Sequence, residues 1–204
     1  MRLTRAERSE QTRAGLVAAA RRVFLERGFH GASVDEISAE AGYTTGAIYS
    51  RFGGKDELFL AVIDDHLERR TRLYTEAALA APDFESAYRE LIRAAVAAGR
   101  EEPRWTPLLM EFWTHAARRA DLRAAVAERN ARNLDASAEL HELLAERHGM
   151  AMLRPPREMQ RAVTAMARGL SLERQIVPDA ELEGVFEDCA LALLRAFTDP
   201  RSTR

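Results

Sequence analysis

Seven residues inside a 23-residue stretch have side chains suited to holding a polyanion: Ser33, Thr44, Thr45, Gly46, Tyr49, Arg51 and Lys55. Hydroxyls and backbone amides donate to phosphate oxygens and base edges, and Arg and Lys neutralise phosphate charge. This chemistry is recognition, not bond making. The other residues that could do chemistry lack the spacing for it. Glu111 and His115 are four apart and His141 and His148 seven apart, but neither spacing matches a zinc site or a metallohydrolase helix. There is no glycine loop to cradle phosphate and no Ser/His/Asp arrangement that position supports. No catalytic centre, metal site or cofactor is expected.

The elements that must position the seven residues are short helices. Ser33 followed by Glu36 forms a capping box, so a helix starts there. Val34, Ile37 and Ala41 then share one face, and Gly42 stands where a helix end needs the left-handed conformation. Thr44 is placed to cap the next helix, which runs to about Phe52. In that helix Ala47, Ile48 and Phe52 can face inward, leaving Thr45, Gly46 and Tyr49 outward. Gly53-Gly54 stops it, and Lys55, Asp56 and Glu57 open another, with acids in the first turn where the helix dipole favours them. Two helices meeting at a glycine turn are the layout that places one helix in the DNA major groove.

This block resembles the DNA-binding module of TetR-type transcriptional regulators. The similarity runs from Phe24–Phe29 through Ser33–Ile37 and Ala41–Tyr49 to Phe52, Lys55 and Leu58. Roughly a quarter of the chain carries it strongly; the remainder matches in length and helical character. Gly54 departs from the pattern, standing where the family often has a serine or asparagine cap. The resemblance implies a homodimer on double-stranded operator DNA and an unknown small-molecule effector bound in the C-terminal part. Lys55, Ser33 and Tyr49 are then assigned to phosphates, and Thr44, Thr45 and Gly46 to base edges, with Arg51 outward beside them. The alternative is a helical protein- or ligand-binding module in which the helix-turn-helix is only scaffold.

The net charge of −2 hides a division. Residues 1–55 hold nine Arg and Lys against six Asp and Glu, a net of +3, and the remainder carries −5. Positive charge therefore gathers where phosphates would be met. Arg2, Arg5, Arg8 and Arg13 are either a lead-in to DNA or a solvated tail. No apolar stretch follows Met1–Arg5, so no signal peptide is expected, and no apolar run reaches membrane-spanning length. Cys189, the only cysteine, fits a reducing cytoplasm and is expected as a small buried residue.

The whole chain reads as all-α, about nine helices. A three-helix DNA-binding domain over residues 1–54 precedes a helical ligand-binding and dimerisation domain over 55–204. The first helix is expected from about Ser9 to Arg27. The fourth runs from Lys55 to about Leu79, the fifth over roughly Phe84–Gly99, and the sixth begins after Pro103. The seventh runs from Asp121 to about His148; Pro155-Pro156 open the eighth and Pro178 closes it. Asp179 caps the ninth, which ends near Thr198. No segment shows strand alternation.

A pocket is expected among helices four to eight. Asn130, Asn133, Leu134, Ser137 and His141 share a mixed stripe on helix seven, which equally suits a half-exposed face. Leu109, Phe112 and Trp113 on helix six, His66 and Arg70 on helix four, and Met166 and Leu170 on helix eight complete the candidate lining. Their content favours a mostly apolar effector. The apolar stripes of the last two helices, with Ala165, Gly169 and Leu172 on helix eight and Phe186, Ala190, Leu194 and Phe197 on helix nine, are either a dimer interface or part of the monomer core.

Overall fold

The computed structural model describes residues 4–177 and 181–200. Arg2, Pro178, Asp179 and the side chain of Leu182 lie outside the described residues. Among the described residues the chain forms α1 (Arg5–Gly31), α2 (Val34–Ala41), α3 (Thr45–Phe52), α4 (Lys55–Leu79), α5 (Phe84–Glu101), α6 (Trp105–Ala116), α7 (Ala120–Arg147), α8 (Pro156–Glu173) and α9 (Glu181–Phe197). None of these helices is long and apolar enough to cross a membrane.

Two strands accompany the helices, β1 (Met150–Met152) and β2 (Thr198–Pro200), paired antiparallel with Ala151 opposite Asp199. Three residues are too few to show an alternating pattern, so nothing in the sequence marks them. α1 also begins earlier than expected. Thr4 and Glu7 form a reciprocal capping box, so Arg5, Arg8 and Arg13 are helical and do not belong to a loose tail. α8 stops at Glu173, short of Pro178.

A single cut after residue 54 does not describe how the chain divides. One compact unit comprises the described residues up to Glu68 with Pro107–Val126, and the other comprises Arg69–Thr106 with the described residues from Ala127 onward. α4, α6 and α7 each contribute to both.

The first unit is built on aromatic rings. Phe24, Phe29, Phe59 and Phe112 are all fully buried. Ring centroids lie 4.9 Å apart for Phe24–Phe59, 5.0 Å for Phe29–Phe112 and 4.6 Å for Phe59–Phe112, edge-on or tilted as the ring quadrupole prefers. Ile37 of α2 and Ile48 of α3 close this core from the helix-turn-helix side. The second unit packs Phe84, Tyr88 and Ile92 of α5, Leu144 of α7, Met159 of α8 and one face of α9.

α1 breaks at Gly28 (φ 76°, ψ 171°), a conformation essentially reserved for glycine. Glu111 of α6 occupies the gap: its Oε2 accepts the Phe29 N–H at 2.9 Å, and a Cβ on Gly28 would lie 2.9 Å from that oxygen. Gly28→Ala should therefore cost about 1–3 kcal/mol through the backbone alone, with a further loss as Glu111 is displaced. Gly31→Ala, whose Cβ would meet only ordinary contact with Arg27, serves as control. Chemical denaturation measures both; equal stability of the two variants would refute the clasp.

Candidate nucleic-acid interface and ligand cavity

α2 and α3 are held by their ends. Ser33 Oγ accepts the Glu36 N–H at 3.1 Å while Glu36 Oε2 accepts the Ser33 N–H at 3.0 Å. Gly42 (φ 70°) ends α2 and Gly53 (φ 84°) ends α3, both in the left-handed conformation that turns the chain sharply. Thr44 occupies the N-cap position of α3, but its side chain makes no cap bond, contrary to expectation. The hydroxyl is left for another acceptor at the helix start, where backbone amides are also unsatisfied. Gly42, Tyr43, Thr44, Gly46, Tyr49 and Ser50 are exposed, and Thr45 is half-buried.

Cationic side chains anchor this head to α1. Arg51 Nη1 donates to Ser9 Oγ at 2.9 Å and to the Ser9 carbonyl at 3.2 Å, so its guanidinium ties α3 to α1 and does not simply point outward. Arg22 pairs with Glu40 at 2.8 Å, joining α1 to α2. The Lys55 ammonium donates to the Ala32 carbonyl at 2.8 Å and the His30 carbonyl at 3.4 Å, and stands 4.7 Å from the Phe29 ring centroid. Burial lowers its pKa, partly offset by neighbouring Asp56. Asp56 in turn meets Arg119 Nη1 at 2.6 Å and His115 Nε2 at 3.2 Å. Composition had placed positive charge in this region. Which cations are tethered was hidden, because the partners Ser9, Ala32 and Glu111 are distant in sequence or offer only a backbone carbonyl or carboxylate.

The expected pocket residues do not form one lining. His66, Leu109, Phe112 and Trp113 belong to the first unit, and Arg70, Asn130, Asn133, Leu134, Ser137, His141, Met166 and Leu170 to the second. Phe112 is corrected to a core residue, fully buried among Phe29 and Phe59. His66, Leu109 and Leu134 are buried, and Trp113, Asn130 and Asn133 half-buried. Arg70 Nη1 donates to the Tyr74 hydroxyl at 2.7 Å and Nη2 to the Ala98 carbonyl at 3.3 Å. Ser137 Oγ donates to the Asn133 carbonyl at 2.9 Å, an ordinary helix back-bond.

His141 is a satisfied core histidine. Its Nε2 lies 2.9 Å from Gln160 Oε1, a pure acceptor, so Nε2 carries the proton and Nδ1 accepts from the Tyr88 hydroxyl at 2.7 Å. Gln160 Nε2 continues the chain to Thr164 Oγ1 at 2.9 Å. Burial lowers the His141 pKa, opposed by Gln160, and burial raises that of Tyr88. The folded state thus holds His141 neutral. As pH falls through about 6.5 the unfolded chain takes up this proton first, so acidification reduces stability, by at most about 1.4 kcal/mol per pH unit for one proton. His141→Gln should flatten the pH dependence of urea melts between pH 7.5 and 5.5 by about 1 kcal/mol. Parallel profiles for variant and parent would contradict this assignment.

A cavity of about 70 Å³ is present elsewhere in the second unit. Ala95, Val96 and Gly99 of α5 form one wall. Ala167, Leu170 and Ser171 of α8, with Arg174 just beyond, form another, and Phe186 of α9 closes it. Of the expected pocket residues, Leu170 alone lines it.

The face assigned to dimerisation also divides. Phe186, Ala190, Leu194 and Phe197 are 3–5% exposed within the single chain, in the core of the second unit, and are therefore not an outer surface. The stripe on α9 is wide because its buried half is filled by α5 and neighbours. Cys189, expected as buried, is exposed because it falls off that half. Ala165, Gly169 and Leu172 of α8 are exposed, as are Val185, Ile176 and Val177.

Comparison with known proteins agrees with the geometry. The family model for bacterial regulatory proteins of the tetR family matches residues 16–62. The HTH-type transcriptional activator FasR of Mycolicibacterium smegmatis is 38% identical over 97 residues, 48% of this chain and 41% of that protein. The HTH-type transcriptional repressor BepR of Brucella suis is 46% identical over 63 residues, 31% of this chain and 30% of that protein. The chain thus matches less than half the length of either relative. Among solved structures, a TetR transcription regulator from Haloarcula marismortui superposes with a TM-score of 0.72 at 18% identity, covering 93% of this chain and 100% of that one. A putative TetR-family regulator from Mesorhizobium loti gives 0.74 at 21% identity, covering 96% and 99%. At such identities these two likenesses speak for the fold alone.

Proposed function

Because this chain belongs to the TetR family of bacterial regulatory proteins, we propose that it is a homodimeric cytoplasmic repressor that binds double-stranded operator DNA through α3 and is released by a small-molecule effector. The observation that carries this is the start of α3. Thr44, Gly46 and Tyr49 are exposed there, on a helix clamped to α1 by Arg51 and followed directly by the Lys55 anchor. A helix read from its N-terminal residues in the major groove needs this combination of open tip and fixed base.

From Thr44 to Ser50 α3 offers no Arg, Lys, Asn or Gln. Base readout then falls to hydroxyls and to apolar contact with thymine methyls. BepR is named a repressor and FasR an activator, so the sign of regulation is the part of this proposal taken from only some of the relatives. The dimer would use the exposed face of α8 carrying Ala165, Gly169 and Leu172, and the effector would act on unit two. A ligand moves the equilibrium only by its differential affinity for the DNA-binding and free states.

Lys55 separates a positioning role from a phosphate contact. Two of its three donors meet carbonyls, leaving capacity for a phosphate beside the amides that open α4. Lys55→Ala should weaken binding to all duplexes alike, reduce the salt slope by about one counterion, and lower thermal stability as well. A lower melting point with an unchanged slope would make Lys55 purely structural. Genome-wide capture of bound DNA, with and without Tyr49→Ala, tests the function itself. Enrichment of a shared sequence by the parent alone is expected; no enrichment by either would return the helix-turn-helix to a scaffold.

A further inference from the structure

We propose that the cavity between α5, α8 and α9 binds a short-chain aliphatic carboxylate, with the Arg174 guanidinium holding the carboxylate group. This deepens the effector reading above and rests on it for its regulatory meaning. The cavity has two unlike parts. Val96, Leu170 and Phe186 supply apolar walls, and Ser171 and Arg174 bring a hydroxyl and a cation to the same space. A water occupies about 30 Å³ of liquid and a 150 Å³ apolar cavity admits benzene. By that scale 70 Å³ suits a chain of three or four carbons.

The placement of the guanidinium depends on Gly99. Arg174 Nη2 donates to the Gly99 carbonyl at 2.9 Å, and a Cβ on Gly99 would lie 3.3 Å from that nitrogen, closer than ordinary contact. Glycine thus lets the planar head lie against the end of α5. A plain capping role for Arg174 accounts for that hydrogen bond. It does not account for an apolar cavity beside it with a hydroxyl on the rim. The carbonyl takes one of five donors and supplies no countercharge, and a carboxylate is the group whose geometry matches the fork. A neutral ligand of the same shape would fill the walls and leave the charge unanswered.

The test is calorimetric titration of the full chain with butyrate, butyramide and 1-butanol, followed by melting curves at saturating ligand. Butyrate should bind at least about tenfold more tightly than butyramide, as expected for a charge-assisted contact, and should raise the melting temperature. Arg174→Gln should level the two, and Arg174→Lys should restore part of the preference. Ala167→Leu, which fills the cavity without touching the cation, should abolish binding of all three. Absence of butyrate binding, or a preference that survives Arg174→Gln in a folded protein, overturns the proposal. Operator affinity measured with and without butyrate separates this from the effector reading. Butyrate that binds through Arg174 but leaves operator affinity unchanged upholds the site and refutes its regulatory meaning. Release from operator by another ligand without butyrate binding overturns the ligand class alone.

Discussion

Leu194→Asp is expected to unfold the second unit, whereas Gly169→Asp is expected to leave it folded and shift the protein to monomer. Leu194 is 3% exposed within a single chain, packed in the core with Phe186, Ala190 and Phe197. A carboxylate there would be buried without a partner, at a cost of several kcal/mol, against a total stability of about 5–15 kcal/mol for a domain. Gly169 lies on the exposed face of α8, and a Cβ there meets nothing within 4 Å. Aspartate at that position also replaces the poorest helix former after proline. Its only expected penalty is therefore like-charge repulsion and desolvation across a twofold interface. Circular dichroism and sedimentation distinguish the outcomes. A folded Leu194→Asp would deny the core placement, and a dimeric Gly169→Asp would move the interface off this face of α8.

Phe112→Ala is expected to cost about 3–5 kcal/mol, the range for emptying a buried aromatic site. The ring touches Phe29 and Phe59 and is fully buried, so its removal leaves a cavity under α1 and α4 of the first unit. Operator binding should fall with the loss of folded reading heads and recover at low temperature. As a ligand contact, Phe112 would instead alter effector response at unchanged stability. Equilibrium denaturation of variant and parent decides between them.

The helix-turn-helix was legible in the sequence because its signals are local. Ser33 with Glu36, Gly42 and Gly53 each fix a backbone turn through a neighbour or through themselves, and the structure places all of them as caps. The start of α1 was misplaced although its Thr4–Glu7 box is equally local, because four arginines nearby suggested a tail. The lining of the cavity was not legible. Helical periodicity tells which residues share a face but not which neighbour covers it. His141, on a mixed stripe, turns out to be satisfied by Tyr88 and Gln160 from two other helices. Arg174 carried no signal beyond its place near a helix end, since its partner Gly99 is 75 residues away. The apolar stripe of α9 was visible, but its buried half could be assigned only once α5 was seen to cover it.

The account rests on α3 being a DNA-reading helix, and one measurement addresses that most directly. A duplex captured from the genome is titrated with the parent protein and with Tyr49→Ala over a range of salt concentrations, alongside a scrambled duplex of equal length. The parent should prefer the captured duplex by at least about a thousandfold at physiological salt, with log affinity falling linearly as log salt rises. Tyr49→Ala, a change on an exposed residue that leaves the fold intact, should lose most of that preference. Equal affinity for both duplexes, or a preference untouched by Tyr49→Ala, would contradict the assignment of α3 as the reading helix.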